Sequence, residues 1–152
     1  MAYREILKIG DDLLRKQSKV VKSFDKNLWD LLDDMAESMF KFKGMGLAAP
    51  QIGVLKRVVV MDVNGMFLEF INPEITSSSG EVEDEEACLS VPNVRGVVKR
   101  PFTVTVKAKD RFGNNFSITG EEMLARCICH EFDHLNGILF VDKMEREVKG
   151  DR

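Results

Sequence analysis

The chain has 152 residues, of which 44% are hydrophobic and 31% charged, and we expect it to fold as a single domain over residues 1–152. Its net charge of −3 at pH 7 gives no positive field for binding a nucleic acid, so we expect no nucleic-acid site. No apolar run approaches the ~20 residues that cross a membrane, no signal-peptide core is present, and three cysteines cannot all pair; these features predict a cytoplasmic protein with free thiols and no membrane contact.

The first predicted element is an amphipathic helix near the N-terminus. Its apolar residues recur every three or four positions: Leu28, Leu32, Met35, Met39 and Phe42. Asp25 stands where a helix cap is expected, and Gly44 stands where the helix should end. We expect this face to pack on the core.

The middle of the chain has the period of β-strands. Two apolar runs flank Asn64-Gly65, which predicts a hairpin. Residues 102–109 alternate between apolar and polar side chains, as in a half-buried strand, and "FSI" (116–118) predicts a short strand after a turn. The acidic run 81–86 predicts a solvent-exposed edge.

A second helix is predicted to begin at Thr119-Gly120-Glu121-Glu122, which has capping-box spacing, and to end at Asn136-Gly137. The order of helix, strands and helix predicts an α+β fold. In it, antiparallel sheets pack around a C-terminal metal-binding helix, and a further helix lies near the N-terminus.

The second helix carries both histidines of the chain, in the pattern H-E-x-x-H. His130 and His134 lie about 40° apart on one face and one turn from each other, so both can reach the same cation. This pattern is typical of metallohydrolases, in which the metal acidifies a water and the glutamate, here Glu131, takes and delivers the proton.

A catalytic metal of this kind normally has a third protein ligand. Metzincin proteases place another histidine where this chain has Phe140. A carboxylate from the acidic tail, as in thermolysin, would be an alternative ligand, although such a residue would lie in a crowded charged segment.

The cysteines are better candidates for the third ligand. Cys127 is seven residues from His134, about 10.5 Å of helical rise, which is too far for one ion to bind both. Cys129 points about 100° away and is expected in the core. Cys88 lies on another segment and could approach the helix from across the site, giving a donor set suited to Zn²⁺ or Fe²⁺.

Three motifs make the sequence resemble the peptide deformylase family. The first motif, G-x-G-x-A-A-x-Q, is complete over residues 44–51, and the third, H-E-x-x-H, is complete over 130–134. The second, E-G-C-x-S, reads "EACLS" over 86–90, with Ala87 in place of the family's glycine. The motifs stand in the family's order.

The resemblance implies a hydrolase that removes the formyl group from the N-terminal methionine of nascent bacterial chains and releases formate. It implies that Cys88, His130 and His134 hold Fe²⁺, which Ni²⁺, Co²⁺ or Zn²⁺ can replace. It also implies that Glu131 is the proton shuttle, and it leaves transient association with the ribosome open.

Further site residues follow from the same resemblance. The side-chain amide of Gln51 and the backbone N–H of Leu89 are expected to stabilise the oxyanion. The substrate-binding residues are expected to be Gly44, Met45, Gly46, Glu86, Ala87 and Cys127. Met45 and Cys127 would line a methionine pocket, and the small residues of the first motif would let the substrate backbone pass closely.

Charged residues around the second motif are expected to support the site. Glu86 would orient a ligand histidine. Arg95 or Arg100 would pair with Glu86 or Asp133, contact the substrate chain, or form ordinary surface salt bridges.

Two other functions stay open from the sequence. A zincin-type metallopeptidase is suggested by H-E-x-x-H but is opposed by Phe140 and by the motif around Cys88. A catalytically silent deformylase-like binding protein is suggested by Ala87 but is opposed by the intact Glu131 and Gln51.

Ala87 is the one departure inside the three motifs. Either it is strained at a positive φ that only glycine tolerates, or its methyl group narrows the substrate groove. Both interpretations predict that Ala87→Gly raises kcat/KM by ~3- to 30-fold.

Overall fold

The computed structural model describes residues 3–149, which form two α-helices, eight strands and three short 3₁₀-helices. The α-helices are α1 (Lys26–Lys41) and α2 (Met123–His134). The strands are β1 (Gly46–Ala48), β2 (Val58–Val63), β3 (Met66–Ser79), β4 (Val82–Cys88), β5 (Val91–Arg100), β6 (Thr103–Lys109), β7 (Asn115–Glu121) and β8 (Arg146–Glu147). The 3₁₀-helices are Asp12–Arg15, Ala49–Ile52 and Phe140–Asp142. Helices and antiparallel sheets confirm the predicted α+β fold. Within the described range, no helix is both long and apolar enough to cross a membrane.

A five-stranded antiparallel sheet in the order β1-β2-β3-β6-β7 separates the two helices. Val58 and Val60 of β2 belong to the core around α1, whereas Val59 and Met61 belong to the core around α2. Because successive side chains of a strand point to opposite faces, β2 is buried on both sides. This explains why its sequence is a continuous apolar run.

The predicted helix near the N-terminus is confirmed as α1. Its buried face contains Leu28, Leu31, Leu32, Met35 and Met39. Phe42 lies just beyond the last helical residue and packs partly buried against the same core. Asp25 holds the N-cap position, but its side chain makes no capping hydrogen bond.

The predicted hairpin joins β2 and β3. Asn64 and Gly65 have φ values of 54° and 81°, as a type I′ turn requires. β3 runs further than the sequence suggested because register shifts against β6 accommodate Asn72 and Pro73. The strand predicted over 102–109 is β6, and the short strand "FSI" is the centre of the longer β7.

The predicted start of the second helix is wrong. Thr119 and Glu121 belong to β7, where they pair with Thr105 and Thr103 of β6. The strand pairing outweighs the local capping pattern, and α2 begins only at Met123. The helix ends at His134, close to the predicted stop.

A second, three-stranded sheet in the order β4-β5-β8 carries the middle motif. The acidic run lies on its edge strand β4 and is exposed as predicted, except for Glu86, which is buried. Cys88 ends β4, and Cys88 and Val91 on either side of the turn to β5 belong to a small apolar cluster with Phe140. The end of β4 is thereby held close to α2.

Candidate metal centre and active site

Three donor side chains meet between β4 and α2. One ligand atom each from Cys88, His130 and His134 lies within 4.8 Å of the others, and the Cys88 Sγ is 3.4 Å from His134 Nε2. The two histidines follow each other by one helical turn, and their ring centroids are 5.3 Å apart. A thiolate with two imidazoles is a donor set for Zn²⁺, Fe²⁺ and related ions.

Glu86 holds the ring of His130 from the side opposite the donor set. Its Oε1 lies 2.8 Å from His130 Nδ1, which leaves Nε2 free to face the site. Phe140, at the position of the third metzincin histidine, instead stacks on the His130 ring with centroids 6.0 Å apart. The orientation of His130 is thus fixed by a hydrogen bond and by packing.

Two buried arginines hold Glu86 in turn. Arg100 donates from Nε and Nη2 to the two carboxylate oxygens at 2.8 and 3.0 Å, and it also reaches Asp133 at 2.8 Å. Arg126 donates to Glu86 Oε2 at 2.7 Å. Arg95 pairs with Glu85 at the surface instead. The predicted pairing of one arginine with Glu86 or Asp133 is confirmed for Arg100, which contacts both.

The charges around the donors favour one positive charge in this place. Burial alone would lower the pKa of His130, but hydrogen bonds with Cys88 and Glu86 outweigh it and raise this pKa. Burial, together with the charge of His130, lowers the pKa of His134. A metal ion binds neutral imidazoles, so an ion entering this donor set would displace the proton that the raised pKa of His130 favours.

Glu131 lies beside the donors and is almost entirely enclosed. Its Oε2 is 4.0 Å from His130 Nε2, and its buried Oε1 has no hydrogen-bond partner within residues 3–149. Burial raises the pKa of its carboxyl group to about 7. A carboxyl group with a pKa near neutrality can both accept and release a proton at working pH.

Gln51 and the second motif are joined by hydrogen bonds. The Gln51 Nε2 donates to Ser90 Oγ at 3.1 Å and lies 3.6 Å from Cys88 Sγ, while its Oε1 accepts from the N–H of Ala48. These contacts fix the amide so that its nitrogen faces the donor set.

An open cavity of about 420 Å³ lies in front of these groups. Its walls include most of the residues expected at the site: Gly44, Met45, Gly46, Gln51, Glu86, Ala87, Cys88, Leu89, Cys127, His130 and Glu131. His134 lies behind them, against Cys88. The structure thus brings together the residues that three separate motifs supplied.

The three cysteines differ as the sequence suggested. Cys127 lines the cavity and Cys129 is buried in the core around α2, but neither joins the donor group. Burial raises the pKa of both thiols, which keeps them protonated, unlike a metal-binding thiolate.

The interpretation of Ala87 as a strained residue is wrong. Ala87 belongs to the extended strand β4 and is not among the non-glycine residues with positive φ. It is exposed and lines the cavity, so only the bulk of its methyl group distinguishes it from the family's glycine.

Sequence reasoning missed two contributors to this site. Arg126 sits on the buried face of α2 with no recognisable motif, and Phe140 was considered only as a missing ligand. An arginine at a buried helix position is a signal for a buried carboxylate partner, but it does not identify that partner.

Comparison with known proteins shows similarity along nearly the whole chain. The polypeptide deformylase family profile matches residues 3–150. A peptide deformylase of Caldicellulosiruptor bescii is 57% identical over 148 residues, which are 97% of this chain and 89% of the relative. The crystal structure of a peptide deformylase from Legionella pneumophila superposes with a TM-score of 0.92 at 51% identity, covering 94% of this chain and 86% of the other. The crystal structure of the peptide deformylase from Thermotoga maritima superposes with a TM-score of 0.93 at 39% identity, covering 95% of this chain and 99% of the other.

An α+β fold that gathers a thiol, two imidazoles and an enclosed glutamate beside one cavity defines a metal-dependent hydrolase. The chain belongs to the polypeptide deformylase family. Its members are metal-dependent hydrolases that remove the formyl group from nascent peptides, so the chain is an enzyme of protein biosynthesis. These matches do not favour a zincin-type peptidase or a silent binding protein.

Proposed function

We propose that the enzyme acts on N-formylmethionyl peptides with one ferrous ion held by Cys88, His130 and His134. The observation that carries this assignment is the convergence of their three ligand atoms within 4.8 Å, beside a cavity that opens to solvent. Ni²⁺, Co²⁺ and Zn²⁺ suit the same thiolate and imidazole donors and are expected to substitute.

An ion held by these residues would supply Lewis acidity, the chemistry that polarises a carbonyl and acidifies a water near neutral pH. We assign the proton transfers to Glu131. Its carboxyl group, with a pKa of about 7, takes a proton from the attacking water and delivers it to the leaving amine nitrogen. Its enclosure between α2 and β1 keeps competing solvent away from that proton.

We assign stabilisation of the developing oxyanion to Gln51 and Leu89. The Gln51 amide is held by Ser90 and Ala48 with its nitrogen beside Cys88, so it needs no reorganisation to donate. Leu89 directly follows Cys88 and lines the same cavity, which supports the assignment of its backbone N–H to the oxyanion.

The remaining cavity residues are assigned to the substrate. Met45 and Cys127 offer apolar contacts for the methionine side chain, and Gly44, Gly46, Glu86 and Ala87 border the path of the peptide. Because the substrate is a chain still being made, we propose that the enzyme works in the bacterial cytoplasm and meets the ribosome only transiently.

The test measures formate release from formyl-Met-Ala-Ser by protein loaded with iron without oxygen. The iron-loaded enzyme should release formate, and it should not cleave a peptide blocked at both ends. Glu131→Ala should keep its metal while turnover falls ~10²-fold or more, as expected for loss of a proton shuttle. Near-normal turnover in that variant with metal present would show that another group is the base.

A further inference from the structure

Gly46 faces the glutamate of the active site at very short range. A Cβ built on Gly46 would lie 2.8 Å from both Cγ and Oε2 of Glu131, and 3.0 Å from Cys127 Sγ. Ordinary contacts of this kind are 3.4–4 Å long. The φ of Gly46 is not positive, so the backbone itself does not require glycine there. Residue 46 must therefore lack a side chain because Glu131 occupies the space that a Cβ would take.

Glu131 has few polar contacts that could hold its carboxylate. The side chain is 6% exposed, Oε1 has no hydrogen-bond partner within residues 3–149, and Oε2 is 4.0 Å from His130 Nε2. Its position must therefore come mainly from packing.

The surface against which Glu131 packs is itself fixed. Gly46 pairs with Met61 of β2, and the carbonyl of Met45 accepts the N–H of Asp62 at 2.8 Å. β2 is the doubly buried strand of the main sheet. A methyl group on residue 46 would therefore move the end of Glu131 more easily than it would move β1.

We propose that Gly46 is a positioning residue: because it has no Cβ, the Glu131 side chain can pack against its backbone, and this packing positions the Glu131 carboxylate. This role differs from the expectation that the glycine only lets the substrate backbone pass. The inference rests on the proposed role of Glu131 as the proton shuttle. The role of Gly46 is tested by Gly46→Ala in two backgrounds, whereas the role of Glu131 is tested by Glu131→Ala alone.

The experiment compares four metal-loaded proteins on formyl-Met-Ala-Ser: the native chain, Gly46→Ala, Glu131→Ala and the double variant. Gly46→Ala should keep its metal and its KM within ~2-fold, while kcat falls ~10- to 100-fold, since a misplacement of about 1 Å can cost ~10²-fold. In the Glu131→Ala background, the same change should alter kcat by less than ~2-fold, because the methyl enters the vacated space.

Thermal unfolding of the metal-free proteins gives a readout independent of activity. Gly46→Ala should lower Tm when Glu131 is present and should lower it much less in the double variant. If Gly46→Ala alone does not fold, recovery of folding in the double variant supports the inference equally, and failure of both to fold overturns it.

Gly44→Ala is a matched control on the same loop. A Cβ on Gly44 would lie 2.8 Å from Leu89 Cδ1 rather than against Glu131. Its effect on kcat should therefore add to that of Glu131→Ala. A raised KM with unchanged kcat for Gly46→Ala, equal in both backgrounds, would limit the role of the glycine to substrate binding and overturn the proposal. Full activity of Glu131→Ala would instead refute the proposed function.

Discussion

Replacing Glu86 by glutamine should remove a large, pH-dependent part of the stability of the metal-free protein. Burial alone would raise the pKa of Glu86, but the hydrogen bonds from Arg100 and His130 outweigh it and lower the pKa from 4.5 to about 2. At about 1.4 kcal/mol per pKa unit, this difference stabilises the folded state by ~3 kcal/mol at pH 7. Glu86→Gln keeps the shape of the side chain and loses the charge.

The sign of the pH dependence follows from the lowered pKa. The stabilisation is complete above the unfolded-state value of about 4.5 and is lost as the pH falls toward the folded-state value of about 2. Urea unfolding should therefore separate Glu86→Gln from the native protein by ~3 kcal/mol at pH 7 and by roughly 1 kcal/mol at pH 3.

The neighbouring Glu85 provides the control for this experiment. It lies on the same strand and pairs with Arg95, but its side chain is 47% exposed. Glu85→Gln should change the free energy of unfolding by less than ~1 kcal/mol. The reasoning would be refuted if Glu86→Gln lowered the free energy of unfolding as much at pH 3 as at pH 7, or by less than ~1 kcal/mol at pH 7.

Three further predictions concern the site. Cys88→Ala should abolish metal retention in elemental analysis whereas Cys129→Ala should keep it, and full occupancy in the first variant would refute the ligand assignment. Ala87→Gly should raise kcat/KM by ~3-fold through KM alone, because only the bulk of a methyl group is removed; a rise in kcat would point to strain that the backbone does not have. The iron-loaded enzyme should lose activity in air faster than the nickel-loaded enzyme, since ferrous iron beside a thiolate oxidises readily, and equal half-lives would contradict this.

The predicted elements were correct wherever one local pattern decided the structure. The spacing of Leu28, Leu32, Met35 and Met39 has a single helical solution, and Asn64-Gly65 has a single turn type. The predicted start of α2 was wrong because two patterns compete there. Thr119 satisfies a capping box, yet its pairing with Thr105 across β6 and β7 is a long-range contact that no local pattern contains.

In the site, too, local motifs were predictive and long-range contacts were not. The three sequence motifs were sufficient to predict that Cys88, His130 and His134 meet at one place. The sequence could not reveal that Arg126 joins α2 to β4 and β5 of the second sheet, donating to Glu86, to the Val98 carbonyl at 2.9 Å and to the Val82 carbonyl at 2.7 Å. Such contacts depend on how α2 crosses the sheet, and helical periodicity does not specify that geometry.

The separation of the metal donors along the chain has a consequence for the stability of the protein against unfolding. Cys88 and His134 are 46 residues apart, so an ion held by both would close a loop of that length as a removable cross-link. Because the ion binds the folded chain and not the unfolded one, it would stabilise the fold by mass action, by ~4 kcal/mol when the free ion is at ~1,000 times its dissociation constant, which is a large share of the stability of a small protein. A cell short of metal would therefore hold a deformylase that is more easily unfolded and degraded, and the supply of the ion would set the lifetime of the protein as well as its rate.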